Sequence, residues 1–289
     1  MNGIILIDKP QDFTSHDVVA KLRGILRERR IGHSGTLDPM ATGLLVVFVG
    51  RATRAVEFAE CHEKEYIAGM RPGISTNTQD ITGETHSSSD IIVTKDMLMS
   101  VIPDFTGEIV QVPPMYSAIK VKGKKLYELA RSGIEVEREG RPVTISELEL
   151  LGKDGEDYIL RVVCSKGTYI RTLCHDMGQK LGTGAVLSSL RRTKAGYFSV
   201  EDAHTLDEIQ NIAATGEIDK IILPVDSMFK EYESIMLDDN EKKKCLCGNS
   251  FEISLKNGKY RVYSNEGEFL MLGYVENGVL HTIKSFFEV

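Results

Sequence analysis

The sequence predicts an α+β fold with a mixed, largely antiparallel sheet, and three observations carry that expectation. Apolar runs of strand length, such as Ile4–Asp8 and Leu44–Val49, coexist with a helical spacing of Val18, Val19, Leu22, Ile25 and Leu26. Strands and helices do not alternate as regularly as a doubly wound sheet requires. From near Glu231 the chain becomes strand-like and rich in Asn-Gly turns, which marks a small β-rich domain at 231–289 behind a larger one at 1–230.

Taken in order, Ile4–Asp8 is a short apolar strand. Thr14-Ser15 offers helix caps, with Asp17 three residues after Thr14 as in a capping box. Gly32 is expected to stop that helix at the C′ position. Leu44–Val49 reads as a buried strand, and Glu65–Arg71 alternates so that Tyr66, Ala68 and Met70 share a face. Leu148–Leu151 and Tyr158–Cys164 flank a GKDGED turn as a hairpin. A helix from Thr168 sets Ile170, Leu173, Cys174, Met177 and Leu181 on one side, and Thr205-Leu-Asp-Glu208 forms another capping box. Turns follow at Lys256-Asn-Gly-Lys, Asn265-Glu-Gly and Glu276-Asn-Gly.

Composition narrows the function classes. A hydrophobic share of 42% and a charged share of 27% are those of an ordinary soluble globular protein. No apolar stretch approaches the roughly 20 residues that span a bilayer, and MNGIILIDKPQD lacks the basic region and cleavage site of a signal peptide. Cys61, Cys164, Cys174, Cys245 and Cys247 are an odd set without framework spacing, which suits free thiols in a cytoplasmic location. Neither GxGxxG, GxxxxGK[ST] nor HExxH occurs, and Cys245-Leu-Cys247 has no partner pair downstream, so no nucleotide cofactor or metal is expected.

The net charge of −7 is unevenly spread. Lys21–Arg30 carries net +4, Tyr116–Arg131 net +4 and Arg161–Lys194 net +6, so the remainder is strongly acidic. Such a chain can offer one cationic face to phosphates while its other surfaces stay acidic.

The most informative string is Gly32–Leu45, GHSGTLDPMATGLL. Gly32, Gly35 and Gly43 allow backbone conformations closed to other residues, and Pro39 pushes Asp38 out of the helical region. Asp-Pro alone is an ordinary turn initiator. Here the glycines, His33 and two threonines surround a carboxylate backed by a buried strand, a support stiff enough for catalytic geometry.

That string resembles the Asp-bearing motif of the TruB family of tRNA pseudouridine synthases, and the likeness continues in order along most of the chain. Ile4–Pro10 (IILIDKP) with Thr14-Ser15, Glu65-Tyr66 in KEYIAGMRPGISTNTQD, Pro113–Gly133 (PPMYSAIKVKGKKLYELARSG), Ser165–Leu173 (SKGTYIRTL) and Leu190–Phe198 (LRRTKAGYF) all resemble family motifs. The resemblance implies the pseudouridine synthase fold with a small terminal PUA-like RNA-binding domain. It implies isomerisation of uridine 55 in the T arm of tRNA, without cofactor, membrane or guide RNA, by a chain expected to be a monomer.

The resemblance also assigns roles. Asp38 is the catalytic carboxylate acting near ribose C1′, and Arg171 of GTYIRT is its counter-cation. Tyr66 is the stacking aromatic, Tyr169 and Leu190 line the same pocket, and His33 holds the flipped nucleotide. Lys9 and Lys64 are expected to contact phosphates or order the site. Lys120, Lys122, Lys124, Lys125 and Arg131 belong to an RNA-gripping insertion at 113–133. A non-catalytic tRNA-folding chaperone is the alternative use of the same cationic face.

Overall fold

A computed structural model describes residues 1–59, 62–121 and 123–287. The chain runs through β1 (Gly3–Lys9), α1 (Ser15–Leu26), β2 (Ile31–Ser34), β3 (Thr42–Val49), α2 (Val56–Ala59), β4 (Lys64–Pro72), β5 (Ile74–Thr76), β6 (Thr85–Ser88), α3 (Lys95–Val101) and β7 (Gly107–Gln111). The insertion holds β8 (Lys120–Val121), β9 (Lys124–Lys125) and α4 (Leu126–Arg131). There follow β10 (Arg141–Asp154), β11 (Asp157–Cys164), α5 (Ile170–Lys180), β12 (Ala185–Ala195), β13 (Phe198–Ser199) and α6 (Leu206–Ala214). The last part comprises β14 (Glu233–Leu237), α7 (Asp239–Leu246), β15 (Phe251–Glu252), β16 (Gly258–Ser264), β17 (Phe269–Glu276) and β18 (Val279–Ser285).

Among the described residues, nine strands form one sheet along the path β1-β3-β12-β4-β11-β10-β7, with β2 on β3 and β13 on β12. Its pairings are antiparallel except β3 with β12. The α+β class and the mixed, largely antiparallel sheet are therefore as the sequence predicts.

The apolar run of β3 is explained by burial on both faces. Leu45, Val47 and Val49 pack with Val18, Val19 and Leu22 of α1 and with Leu206 and Ile209 of α6. Leu44, Val46 and Phe48 pack on the other side with Met228, Phe229, Leu272 and Phe286, which ties the C-terminal sheet to the large one. On β4, Tyr66, Ala68 and Met70 face Leu173, Cys174 and Met177 of α5. The periodicities in α5 and β4 thus meet as one core.

The C-terminal part is a five-stranded sheet of order β14-β16-β17-β18-β15. Asn277 and Gly278, both left-handed (φ 51° and 76°), close the hairpin between paired Glu276 and Val279, as the Asn-Gly signal required. The Lys256-Asn-Gly-Lys turn does not make a hairpin, because β15 pairs with β18 rather than with β16. No helix among the described residues is long and apolar enough to cross a membrane.

Two local expectations are corrected, and one helix is added. Helix α1 ends at Leu26, with Arg27 in the left-handed region at φ 52°; Gly32 lies in β2, where its φ is not left-handed. Helix α5 begins at Ile170 rather than Thr168, with Tyr169 as its N-cap. Helix α7 was invisible to periodicity because DNEKKKCL buries only Cys245; Asp238 starts it by accepting from the Asn240 and Glu241 amides.

Gly43 is where the parallel junction of β3 and β12 forms. Its φ is 96°, and a Cβ there would lie 2.3 Å from the Arg192 carbonyl oxygen. Gly43→Ala is expected to destabilise the protein by about 3 kcal/mol or more, read as a lowered urea midpoint.

Candidate active site

The Asp38 loop, between β2 and β3, is held from three sides. The buried Ser15 hydroxyl accepts the Leu37 amide at 2.9 Å, pinning the residue before Asp38. The Asp38 carbonyl accepts the Ala41 amide at 3.0 Å, closing a turn over Pro39. The Pro39 carbonyl accepts the Asp12 amide at 2.8 Å and the Lys9 ammonium at 3.3 Å. Gly35, at φ 65°, lets the loop pass 3.0 Å from Arg192, whose Nη2 donates to the Gly35 carbonyl.

Lys9 is fully buried and donates to the carbonyls of Pro10 (2.8 Å), Phe13 (2.6 Å) and Pro39. Burial lowers its pKa to about 8, with Asp12 and Asp38 opposing the shift. Of the two roles expected for Lys9, the geometry supports ordering the loop and not meeting a phosphate. Lys9→Met would take the ammonium from the Pro10 and Phe13 carbonyls, while Pro39 keeps the Asp12 amide, and a loss of about 2–4 kcal/mol in chemical denaturation is expected.

Arg171 enters from the first turn of α5, where the helix dipole disfavours a cation. Two carboxylates offset that. Its Nε lies 3.0 Å from Asp38 Oδ2, and its Nη1 lies 3.4 Å from Asp80 Oδ2 and donates to the Thr78 carbonyl at 3.0 Å. Its Nη2 donates to the Tyr116 carbonyl at 2.9 Å. All three guanidinium nitrogens are thus engaged, and the side chain is only 7% exposed.

Asp80 is a second acid of the site to which the sequence motifs assigned no role. Its side chain is 7% exposed, and Oδ1 accepts the Thr78 and Thr82 hydroxyls (2.8 and 2.6 Å) and the Thr82 amide (3.1 Å). The available signal was threonine at both −2 and +2 of the Asp in TNTQDIT, a local hydrogen-bonding pattern that buries a carboxylate without apolar periodicity.

Burial raises the Asp38 pKa, Arg171 lowers it, and Asp80 raises it again; the balance is upward. The side chain is nonetheless 40% exposed. Asp38 lines an open cleft of about 1120 Å³.

Tyr66, Tyr169, Leu190, His33 and Lys64 line this cleft together with Asp38 and Arg171. Tyr66 is 8% exposed; burial raises its hydroxyl pKa, and the adjacent Arg192 opposes that shift. Burial likewise raises Tyr169. His33 is pushed down to about 4, mainly by burial and then by His16, whose ring stands edge-on at 5.5 Å. A neutral imidazole suits a substrate contact rather than a charge, and its Nδ1 has no hydrogen-bond partner among the described residues. Lys64 is 8% exposed and donates to the His62 carbonyl at 3.0 Å.

Arg192, also assigned no role, is 1% exposed and donates through Nε to the Leu44 carbonyl at 2.7 Å. It joins β12 to the Asp38 loop beneath Tyr66. Strand β12 hid from alternation because its register shifts at Leu187/Ser189 and Arg192/Lys194.

The insertion places Lys120, Lys124 and Arg131 at the surface and leaves Lys125 partly covered. Lys125 and Arg131 lie over the Tyr127 ring at 5.4 and 5.5 Å, and Arg131 and Tyr127 reach the cleft wall. Lys122 lies outside the described residues. The cationic segment at 161–194 is largely paired within the chain, much of it at the surface: Arg161 pairs with Glu65 and Glu147, Lys180 with Asp104, Arg191 with Asp8 and Lys194 with Glu65.

Residues 23–170 match the model described as TruB family pseudouridylate synthase (N terminal domain), and residues 171–230 match that described as tRNA pseudouridylate synthase B C-terminal domain. The chain is similar to the tRNA pseudouridine synthase B of Syntrophomonas wolfei subsp. wolfei, with 44% identity covering 96% of this chain and 94% of that protein. The protein of the same name from Clostridium kluyveri is 39% identical over 99% of this chain and 100% of its own length. A chain from an H/ACA RNP bound to a substrate RNA containing 2′-deoxyuridine superposes with a TM-score of 0.74 at 26% identity, covering 99% of this chain and 85% of that one. A chain from the archaeal box H/ACA sRNP Nop10-Cbf5 complex gives 0.73 at 27% identity, covering 99% and 86%.

Proposed function

Because the chain belongs to the TruB family of pseudouridylate synthases, we propose that it isomerises uridine 55 in the T arm of tRNA to pseudouridine, with Asp38 as the catalytic carboxylate. The observation that carries this reading is the pairing of Asp38 with Arg171 at 3.0 Å on the floor of a cleft walled by Tyr66, Tyr169 and Leu190.

The reaction breaks the C1′–N1 bond, rotates the base, joins C1′ to C5 and releases the C5 proton. It needs one anionic oxygen near C1′ and a place to hold a detached base. Arg171 opposes the upward pull of burial on the Asp38 pKa and so favours its anionic form. Tyr66 supplies a face on which an extruded base can stack, worth about 1–3 kcal/mol against the stacking lost in the RNA. Tyr169 and Leu190 close the sides, and neutral His33 contacts the nucleotide. Water sharing the open cleft leaves when the nucleoside fills it, which strengthens the Asp38–Arg171 field at that moment.

Under this reading residues 1–230 are the synthase domain, with 113–133 gripping phosphates, and 231–289 are a PUA-like RNA-binding domain. The partner is tRNA itself, bound by a cytoplasmic monomer without guide RNA. The test is incubation of purified protein with tRNA carrying uridine tritiated at C5. Release of one tritium per tRNA and pseudouridine mapped to position 55 are expected. Binding without release would favour the chaperone alternative and sink the catalytic one.

A further inference from the structure

We propose that Gln111 is a positioning residue through which the RNA-gripping insertion sets the catalytic arginine; this rests on the proposed activity. Gln111 ends β7 and immediately precedes the insertion, and it is 1% exposed. Its carboxamide is wholly used on one residue: Oε1 accepts the Tyr169 amide at 3.0 Å, and Nε2 donates to the Tyr169 carbonyl at 3.3 Å. Tyr169 is the N-cap of α5, and its own side chain makes no cap hydrogen bond. The clamp therefore comes from Gln111 and acts on Tyr169, two residues before Arg171 along the chain.

Five residues past Gln111, the Tyr116 carbonyl receives Arg171 Nη2 at 2.9 Å. One limb of the insertion thus holds the first turn of α5 at two points, the backbone of Tyr169 and the guanidinium of Arg171. Residues 112–119 belong to no strand or helix, so the position of that carbonyl depends on how the limb is held at its other end. That end is α4: the Tyr127 amide donates to the Ser117 carbonyl at 3.1 Å and the Leu126 amide to the Ile119 carbonyl at 2.8 Å. Tyr127 is the ring covered by Lys125 and Arg131. Phosphate binding at α4 fixes Ser117, Ser117 fixes the neighbouring Tyr116 carbonyl, and that carbonyl completes the Arg171 shell facing Asp38. Gln111 is the anchor against which this works. Gripping RNA and arming Asp38 are then one event.

The experiment uses full-length protein, saturating enzyme and tritiated tRNA in single turnover, with tRNA affinity and Tm measured alongside. Gln111→Met preserves shape and removes both hydrogen bonds. A fall in the isomerisation rate constant of about tenfold or more, with Kd within about twofold of wild type, is expected. Gln111→Glu keeps the acceptor for the Tyr169 amide but sets a carboxylate against the Tyr169 carbonyl. Its rate relative to wild type should climb as pH falls from about 8.5 to about 6, because the protonated carboxyl donates again. A merely structural residue would not give that pH signature. Wild-type rates in Gln111→Met, a loss confined to Kd, or a pH-independent Gln111→Glu ratio would each overturn the inference. A wild-type protein that releases no tritium would instead overturn the activity itself, and the inference with it.

Discussion

Asp38→Asn is expected to cut tritium release to below about one ten-thousandth of wild type while tRNA affinity stays within about twofold. The amide is isosteric, so the loop held by Ser15, Lys9 and the Ala41 amide has no reason to move. What disappears is the anionic oxygen 3.0 Å from Arg171. In wild type the acid limb of the pH–rate profile should lie above the ordinary aspartate range, because the Asp38 pKa is raised and the active form is the ionised one. The same shift bears on stability. A carboxyl whose folded-state pKa exceeds its unfolded one is, when ionised at neutral pH, a destabilising group, and that penalty vanishes below the unfolded pKa. Asp38→Asn should therefore keep or raise the neutral-pH Tm while abolishing turnover. Measurable product, or a clear drop in Tm, would remove Asp38 from its assigned role.

Arg171→Met is expected to damage both activity and stability. It leaves Asp38 and Asp80 in one pocket without the cation that now touches both, at 3.0 and 3.4 Å. Breaking a buried pair in this way costs about 3–5 kcal/mol. Without Arg171 the Asp80 charge acts on Asp38 unopposed by that guanidinium, so the already raised folded-state pKa of Asp38 should rise further. Groups so raised bind more protons folded than unfolded, and the variant should lose stability as pH climbs from acid toward neutral. Turnover should fall by about a thousandfold or more at neutral pH, through loss of both the ionised Asp38 and the Tyr116–Arg171 link. Urea titrations at two pH values and the same tritium assay read these effects. Equal stability at both pH values would contradict the shared-charge account.

How much of this was legible beforehand depended on which physics set each residue. Helix α1, its Thr14 capping box and the apolar strands β1 and β3 announce themselves through apolar periodicity and local hydrogen bonds, so they could be read directly, whereas the pairing of β1 with β3 is known only from the fold. Most proposed site residues followed from motifs, and the structure brings Asp38, Arg171, Tyr66, Tyr169, Leu190, His33 and Lys64 to one cleft. Lys9 was placed near the site but its task was left open; only its burial under three carbonyls decides it. Asp80 and Arg192 lie within recognised motifs but were given no role, and Gln111 was not singled out. Each is a polar residue whose place in the site depends on a partner distant in sequence, respectively Arg171, the Leu44 carbonyl and the Tyr169 backbone, even though Asp80 also has local threonine donors.

Charge shows the same divide. Seven cations counted between 161 and 194 suggested an RNA face, yet most of them lie against carboxylates or carbonyls from other strands. By itself the amino-acid order determined the elements, the buried faces and the stiff Asp-Pro turn, because these arise from interactions a few residues long. Which cation neutralises which acid, how open the cleft is, and how the insertion reaches Arg171 were decided only in three dimensions. Those outcomes depend on contacts between segments such as 35–41, 78–82, 111–117 and 169–171, which only the paired sheet brings together.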